Sequence, residues 1–507
     1  MGQITDQTCM LQSIVDEVRS RRECNMHNLS TSDAEACCLG VICNGENAVE
    51  YDNSEKTVDG PSDKPLHRRS IFCYGIGHML NDLTSACWFT YLLMFLTEIG
   101  LTPRDAATVM LSGQIADAVT TVFVGELIDR FGHFKMWHGG GSVLVAISFS
   151  SVFGGCLVCR ILGTDSLTVS TIGYSVFAAI FNVGWAATQV SHMAMVNCIT
   201  ANATSRVALT SCRNAFTMVA NLALFAIAFS VFKFISGNDS FGIETQYRWI
   251  AIVSIIIGSC FVIIFLLGVR EPRLQHHELP KTHQRISWFY WFKKVLYYQV
   301  ALVYLLARLI TNVSQALLAF YLIDDLQMAQ SSKAVVPAII YICSFMASII
   351  LQELQWTSYR LKAFFTAGAV LWMFSGSILY ILPSNMWSYI YFLSVVIGVG
   401  NALVMVTAIS MESILVGEDL SRCAFVYGSL SFLEKLSCGI VLYVIEDFHT
   451  SASTCAESQG LGVCHSLTRT SLALVPGGCA LLGVIVTFTM DLNAANVRSS
   501  LHEPLLV

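Results

Sequence analysis

Long apolar stretches, separated by short polar segments, run through most of this 507-residue chain. An α-helix needs about 20 apolar residues to cross the hydrocarbon core of a bilayer. Twelve stretches reach that length, so the pattern predicts an all-α polytopic membrane protein with twelve transmembrane helices. They lie near residues 71–98, 105–127, 137–159, 168–196, 207–234, 248–269, 297–324, 334–354, 361–383, 386–412, 421–446 and 471–491.

The polar segments divide the predicted helices into two sets of six. Residues 1–66 are polar, acidic and serine-rich, which is typical of a disordered tail. An N-terminal half, 67–269, and a C-terminal half, 297–491, are joined by a basic loop, 270–296, and followed by a tail, 492–507. Transporters are often built from two such halves, with the substrate site between them near the bilayer midplane.

Composition narrows the class of function. Hydrophobic residues make up 54% of the chain and charged residues only 13%, against about 25% charged residues in soluble domains. The net charge of −6 gives no reason to expect a nucleic-acid partner. The loops contain no nucleophile–base pair, metal-ligand cluster or phosphate-binding loop. We therefore expect neither an enzyme nor a bound metal or cofactor.

Lysine and arginine predict the orientation of the chain. They are concentrated before the first predicted helix, in the central loop and in the loops after the second, fourth and eighth helices. Positively charged loops lie in the cytoplasm, so we expect both termini there. The opposite face then carries Cys455 and Cys464, which can form a disulfide, and Asn238, which lies in a glycosylation sequon.

Three ionisable residues, Asp82, Asp117 and Lys435, lie deep within the predicted helices. A charge at the bilayer centre costs about 2.5–3.5 kcal/mol on insertion scales, and such residues usually face a polar cavity. The alternative is a structural ion pair of Lys435 with Asp82 or Asp117. Protonation of the carboxylate would weaken such a pair and bias the balance between inward and outward states.

Five predicted helices carry polar side chains at helical spacing, so that each presents a polar stripe. We predict that these stripes form a substrate and ion site between the halves, although the amides also suit interhelical hydrogen bonds. The predicted substrate-binding residues are His78, Asn81, Asp82, Trp185, Gln189, Arg308, Asn312, Gln315 and Tyr427. The predicted ion-coupling residues are Gln114, Asp117 and Lys435.

The loop after the second predicted helix reads GELIDRFGHFK at 125–135. It resembles the G-x-L-x-D-R-x-G-x-x-K signature of the major facilitator superfamily, which lies between the second and third helices. The resemblance implies the fold of that superfamily, with two six-helix halves, and a gate at the cytoplasmic face. The residues assigned to this gating motif are Gly125, Asp129, Arg130 and Gly132.

Within that superfamily the intramembrane charges resemble those of the melibiose-carrier group, the glycoside–pentoside–hexuronide:cation symporters. Asp82 matches a sugar-binding aspartate of that group, Asp117 an aspartate of its cation site, and Lys435 a lysine nearby. The resemblance implies a symporter that couples a small solute to a cation.

Two departures from the melibiose-carrier pattern alter that expectation. The group's second carboxylate on the second helix falls here on Gly113. A sodium site is then incomplete, which favours a proton as the coupling ion. The group's second sugar-binding aspartate falls near Thr188 or Gln189, so the sugar clamp has lost a carboxylate.

Several gapless runs resemble the major facilitator superfamily domain-containing protein 12 family more closely. That family implies cysteine import from the cytosol into lysosomes or melanosomes, with a coupling proton or cation, by a monomer in the bilayer. A sugar:cation symporter and a membrane scaffold or sensor remain as alternatives, as does the plasma membrane. The runs are GHMLND at 77–82, WFTYLL at 88–93, GQIAD at 113–117, GWAATQVSH at 184–192, RLITNVSQ at 308–315 and AFVYGSLSFLEK at 424–435.

Overall fold

The structure, a computed structural model, describes residues 66–164, 166–200, 203–235, 240–270, 289–352, 357–416, 420–459 and 466–492. This part of the chain is helical and contains no β-strand. Its twelve long helices are α1 (Met79–Glu98), α2 (Pro103–Phe131), α3 (Phe134–Phe153), α4 (Leu167–Ile199), α5 (Ala203–Phe234), α6 (Ser240–Gly268), α7 (Val295–Phe320), α8 (Ser332–Gln352), α9 (Ser358–Ile381), α10 (Tyr389–Val416), α11 (Leu420–Gln459) and α12 (Leu467–Thr489).

Each long helix overlaps one predicted transmembrane stretch, so the predicted all-α multi-pass class is confirmed. Within the described residues, eleven helices are long and apolar enough to cross a membrane. The exception is α1, because its polar residues, Asn81 and Asp82 among them, lower its hydropathy. Helix α1 is therefore the span with the weakest support from composition, and its first turn contains the predicted site residue Asp82.

The first predicted span is broken rather than continuous. A short helix, Arg68–Gly75, leads into a 3-10 turn, Ile76–His78, from which α1 starts. A Cβ at Gly77 would lie 2.6 Å from the Phe265 ring, so the backbone needs glycine to approach α6 this closely. Short 3-10 segments within helices often mark functional sites, and this one ends at His78.

The eleventh helix is longer than predicted. The apolar stretch ends near 446, but α11 continues to Gln459 because residues 447–459 contain no glycine or proline. Cys455 therefore lies in a helix rather than in the predicted loop. The Cys455 side chain, Cys464 and Asn238 lie outside the residues that the structure describes, so their disulfide and glycosylation remain predictions.

The two halves repeat one packing scheme. In the first half α2 packs on α4, α3 on α4, α1 on α6 and α3 on α6. In the second half each pair recurs six helices later, as α8 on α10, α9 on α10, α7 on α12 and α9 on α12. This internal repeat confirms the predicted architecture of two six-helix halves, while the exact domain boundaries stay a prediction.

The interface between the halves is built from corresponding helices. The largest contact joins α2 to α11, and α5 packs on α8 in the matching position of the opposite half. Helix α1 also packs on α7. Four of the five polar stripes, those on α1, α2, α7 and α11, therefore lie on helices that meet across the interface.

The end of the bundle that carries the α1–α2 loop at 99–102 is here called the far face. Two ion pairs link the halves there. Arg104 of α2 pairs with Asp447 of α11 at 3.0 Å. Lys333 of α8 lies 3.4 Å from Glu98 of α1, and the Tyr91 hydroxyl donates to the Lys333 carbonyl at 3.0 Å. These contacts hold the far face, which is predicted to be non-cytoplasmic, in a closed state.

Two glycines let α3 and α4 cross in direct backbone contact. A Cβ at Gly141 would lie 2.7 Å from the Gly184 carbonyl oxygen, and a Cβ at Gly184 would lie 2.7 Å from the Gly141 carbonyl oxygen. Small residues at such crossings allow close helix packing in membranes. Gly140, one residue earlier, has open space around its Cβ position.

We expect Gly141→Val to destabilise the protein, whereas Gly140→Val leaves it unchanged. The valine at 141 meets backbone atoms that cannot move away, and overpacking of this kind costs about 1–3 kcal/mol. Thermal unfolding of the purified variants, followed by fluorescence-detected gel filtration, measures the difference. Equal melting temperatures for the two variants would contradict the assigned crossing.

Candidate functional site

Asp82 is buried in the N-terminal half, between α1 and α5. One carboxylate oxygen lies 2.6 Å from Nδ1 of His78, and the other accepts a hydrogen bond from the Thr217 hydroxyl at 2.8 Å. Its predicted alternative partner, Lys435, pairs elsewhere. The Asp82 carboxylate is therefore held by an imidazole and a hydroxyl of its own half.

Asn81 links this cluster to α4. Its amide nitrogen lies 3.3 Å from Nε2 of His78 and donates to the Trp185 carbonyl at 3.2 Å. The Asn81 side-chain oxygen and the Trp185 indole nitrogen are buried without a hydrogen-bond partner among the described residues. Unpaired buried polar atoms are costly, and both are available to a ligand.

Asp117 and Lys435 form the ion pair that joins the halves at their centre. Lys435 Nζ of α11 lies 2.6 Å from the Asp117 carboxylate of α2, which is 1% exposed. The Thr121 hydroxyl contacts both groups, at 3.1 Å from Asp117 and 2.9 Å from Lys435. The ammonium also faces the Trp185 ring at 5.4 Å, within cation–π range.

Trp185 thus connects two of the predicted groups of residues. Its carbonyl accepts from Asn81, beside Asp82, and its ring faces Lys435, which pairs with Asp117. A change of charge at Asp117 can therefore alter the surroundings of Asp82 through residues in direct contact.

Arg308 belongs to a second buried cluster, between α7 and α11. Its Nε lies 3.3 Å from the Glu434 carboxylate and 3.1 Å from the Tyr304 hydroxyl. That hydroxyl donates to Glu434 at 2.8 Å. Since Glu434 precedes Lys435 on α11, the two ion pairs are adjacent along that helix.

The remaining polar residues of α7 bridge helices. The Gln315 amide donates to the Thr90 hydroxyl of α1 at 2.8 Å, which crosses between the halves. The Asn312 amide donates to the Cys438 sulfur of α11 at 3.3 Å. Both contacts fit the interhelical hydrogen bonds that were the alternative to substrate binding, and the substrate role of these two residues stays a prediction.

Gln114 and Gln189 differ from those amides. The Gln114 nitrogen and the Gln189 oxygen are buried without hydrogen-bond partners. Thr188, by contrast, donates to the Gly184 carbonyl of its own helix at 3.0 Å. If the second sugar-binding aspartate of the melibiose-carrier group corresponds to Thr188, the side chain at that position makes its hydrogen bond within α4.

Arg213 of α5 is a candidate site residue that the sequence analysis did not select. It is 1% exposed, and its Nε and one terminal nitrogen have no hydrogen-bond partner in the described structure. It precedes Thr217, the partner of Asp82, by four residues, a rise of about 6 Å along the helix. Its charge within the predicted span 207–234 was a signal that the sequence analysis passed over.

Two buried histidines of the N-terminal half, His138 and His192, have rings in contact. His192 of α4 is fully buried. Its ring centroid lies 5.5 Å from His78 and 5.3 Å from His138. Within the part of the chain that the structure describes, the ring nitrogens of His192 have no hydrogen-bond partner. Sequence reasoning missed His138, because it lies on α3, which carries no polar stripe.

The structure extends α2 to Phe131, so Gly125, Asp129 and Arg130 of the predicted gating loop lie in the last turns of α2, and only Gly132 and His133 separate α2 from α3. Gly132 ends α2 with a φ of 68°, a conformation that favours glycine. Lys135 donates to the Val269 carbonyl at the end of α6, and the Arg130 side chain is exposed. The side chains of Asp129 and Tyr427 lie outside the described residues, so their predicted roles are untested.

Comparison with known proteins agrees with this architecture. A family model described as "MFS/sugar transport protein" matches residues 73–494. "Major facilitator superfamily domain-containing protein 12" of Homo sapiens is 30% identical over 469 residues, covering 86% of this chain and 96% of that protein. The predicted resemblance to that family is confirmed.

More distant similarities extend to symporters. "Uncharacterized symporter YnaJ" of Bacillus subtilis is 29% identical over 231 residues, covering 42% of this chain and 45% of that protein. The crystal structure of a D-xylose-proton symporter superposes with a TM-score of 0.63 at 13% identity, covering 83% of this chain and 97% of that one. This second similarity concerns the fold alone.

Two halves related by an internal repeat, a charged network at their interface and a family match over most of the chain lead to one assignment. The chain belongs to the MFS/sugar transport protein family, a family of multi-pass membrane transporters of the major facilitator superfamily.

Proposed function

We propose that this protein carries cysteine by alternating access, coupled to protons, from the cytosol into lysosomes or related organelles such as melanosomes. The family assignment supports a transporter, and the resemblance to the domain-containing protein 12 family favours cysteine and these organelles. The observation that carries the substrate class is the placement of two buried charges on either side of Thr217. The Thr217 hydroxyl donates to Asp82 of α1, and Arg213 precedes Thr217 by four residues on α5.

Cysteine is a zwitterion, and opposite charges suit its two ends. Asp82 offers a carboxylate to the ammonium group. Arg213 offers its Nε and one terminal nitrogen, which have no hydrogen-bond partner among the described residues, to the carboxylate. Arginine binds carboxylates in a bidentate fashion with charge-assisted hydrogen bonds. A sugar has no charges to match this pair, and Thr188 is engaged within α4. The geometry therefore favours an amino acid over a sugar.

The proposed proton site is Asp117. When it is ionised, the carboxylate and Lys435 hold α2 and α11 together at 2.6 Å. Protonation removes the charge attraction and leaves the ammonium with Thr121 and Trp185. A proton that binds one conformation more tightly than the other shifts the equilibrium between them. In the opposite state the far-face pairs of Arg104 and Lys333 must separate.

Proteoliposomes containing the purified protein test this proposal. We expect saturable uptake of labelled cysteine that increases with an imposed proton gradient and does not require sodium. A panel of sugars should compete poorly, while small neutral amino acids of similar size compete better. Empty liposomes and the Asp117→Asn variant are the controls.

Other outcomes would identify the alternatives. Sugar uptake without cysteine uptake would replace the proposal with a sugar:cation symporter, which the name "MFS/sugar transport protein" also suggests. No uptake of either solute, combined with an unaltered cellular phenotype for Asp117→Asn, would indicate a scaffold or sensor. Labelled cysteine uptake into organelles from cells with and without the protein tests the lysosomal location.

A further inference from the structure

A basic pocket lies at the far face on the outside of the bundle, away from the interface between the halves. It has a volume of about 300 Å³ and lies between the ends of α3 and α6. Arg160 and Arg248 line its polar side, and Ala251 and Ile252 line its apolar side.

Two guanidinium groups converge in this pocket on one backbone oxygen. Arg160 and Arg248 each donate to the Gly154 carbonyl at 3.3 Å. Glu244, the acidic partner of Arg248, is the nearby carboxylate. Two positive charges and one negative charge leave an excess of one positive charge, which matches a singly charged anion.

The loop that carries Arg160 is held in place by its own covalent structure. Cys156 and Cys159 form a disulfide, a pair that no sequence pattern had singled out. The Cys156 sulfur also accepts from the Cys159 amide at the start of the short helix Leu157–Leu162. Gly155, with a φ of 97°, turns the chain beside Glu244. The arginine is therefore positioned before any ligand arrives, which lowers the cost of binding.

The apolar side of the pocket adjoins exposed apolar residues along the line where α3 and α6 pack together, here called the α3–α6 groove. Ile147 of α3 is 55% exposed, and Ile252 and Ile256 of α6 are 38% and 58% exposed. In a membrane this surface contacts acyl chains. Trp249, 48% exposed beside Arg248, is a residue typical of the membrane–water boundary. The pocket thus lies at the depth of lipid headgroups.

We propose that this pocket binds an anionic phospholipid, with the phosphodiester between Arg160 and Arg248 and an acyl chain along the α3–α6 groove. Arginine side chains bind phosphate oxygens through charge-assisted, often bidentate, hydrogen bonds. The charge excess favours a phosphodiester that lacks a positive group over a zwitterionic lipid. The apolar groove favours a lipid over a free phosphate, which has no acyl chain to bury.

Native mass spectrometry of the full-length protein in detergent tests the proposal. The ligands are phosphatidylglycerol, phosphatidylcholine of the same acyl chains, deacylated glycerophosphoglycerol and inorganic phosphate. We expect phosphatidylglycerol to be retained in preference to the other three. Since a basic residue near the membrane surface contributes about 1 kcal/mol, Arg160→Gln and Arg248→Gln should each weaken retention roughly fivefold, and the double variant roughly thirtyfold.

Arg469→Gln is the matched control, because Arg469 lies on the same face and also pairs with a carboxylate, that of Asp325 at 3.6 Å. It should leave retention of phosphatidylglycerol unchanged. Equal retention of phosphatidylglycerol and phosphatidylcholine, or loss of retention in the control as large as in the double variant, would overturn the site. Retention of phosphate or the deacylated headgroup as strong as that of the lipid would overturn the lipid assignment. The order in which the wild-type protein retains the four ligands tests the proposal even if the double variant does not fold.

Discussion

Asp117→Asn is expected to lower cysteine uptake roughly a hundredfold while the protein remains in the membrane. The substitution leaves the Lys435 ammonium buried without its counter-charge. Removing one partner of a buried ion pair costs about 3–5 kcal/mol, and every 1.4 kcal/mol is a factor of ten in an equilibrium constant. The same change removes the group that is proposed to take up the coupling proton. Initial uptake rates at two values of external pH measure both effects.

Two further variants separate coupling from stability. Asp117→Asn combined with Lys435→Gln removes both charges, so it should recover most of the lost thermal stability and still show no response to a proton gradient. Thr121→Ala keeps both charges and removes the hydroxyl that contacts them. It should transport at close to the wild-type rate. Wild-type pH dependence in Asp117→Asn would mean that the ion pair is structural and the proton binds elsewhere.

Arg213→Gln is expected to raise the KM for cysteine roughly tenfold or more. Hydrogen bonds to charged groups contribute about 1.5–3 kcal/mol, and the proposed partner of this guanidinium is the substrate carboxylate. Cysteamine, which is cysteine without that carboxylate, provides the decisive comparison. Wild type should prefer cysteine over cysteamine, and the variant should lose most of that preference. Competition of cysteine and of cysteamine against labelled cysteine measures this preference.

Lys233→Gln is the control for this second prediction. Lys233 is also a cation on α5, but it is exposed and contacts the rings of Phe229 and Phe234. Its loss should leave both affinities unchanged. If Arg213→Gln weakened cysteine and cysteamine by the same factor, the arginine would support the fold of the site rather than bind the carboxylate.

Most of the fold could be predicted from the chain because a bilayer imposes a simple length rule. Twelve apolar stretches correspond to twelve long helices, and the basic loop at 270–296 separates two halves that repeat one packing scheme. Helix ends were less predictable. The end of α11 depends on the absence of glycine and proline beyond the apolar stretch, and a hydropathy pattern does not detect that.

The candidate site was predicted in part. Asp82, Asp117 and Lys435 stood out because each places a charge in an apolar segment, and all three are buried in contact with polar partners. Arg213 has the same property and shares a helical face with Thr217, but it was not selected. His138 and Thr217 carried no signal of this kind, because neutral polar residues in membrane helices are common.

The amino-acid sequence identifies which residues are too costly to bury without a role, because a charge deep within an apolar stretch carries a large penalty in hydrocarbon. How those charges pair is visible only in the folded structure. Lys435 pairs with Asp117 and not with Asp82, and Arg308 pairs with Glu434. Partner choice depends on distances of a few ångströms between helices that are far apart in the chain, and helical spacing along one segment contains no information about them.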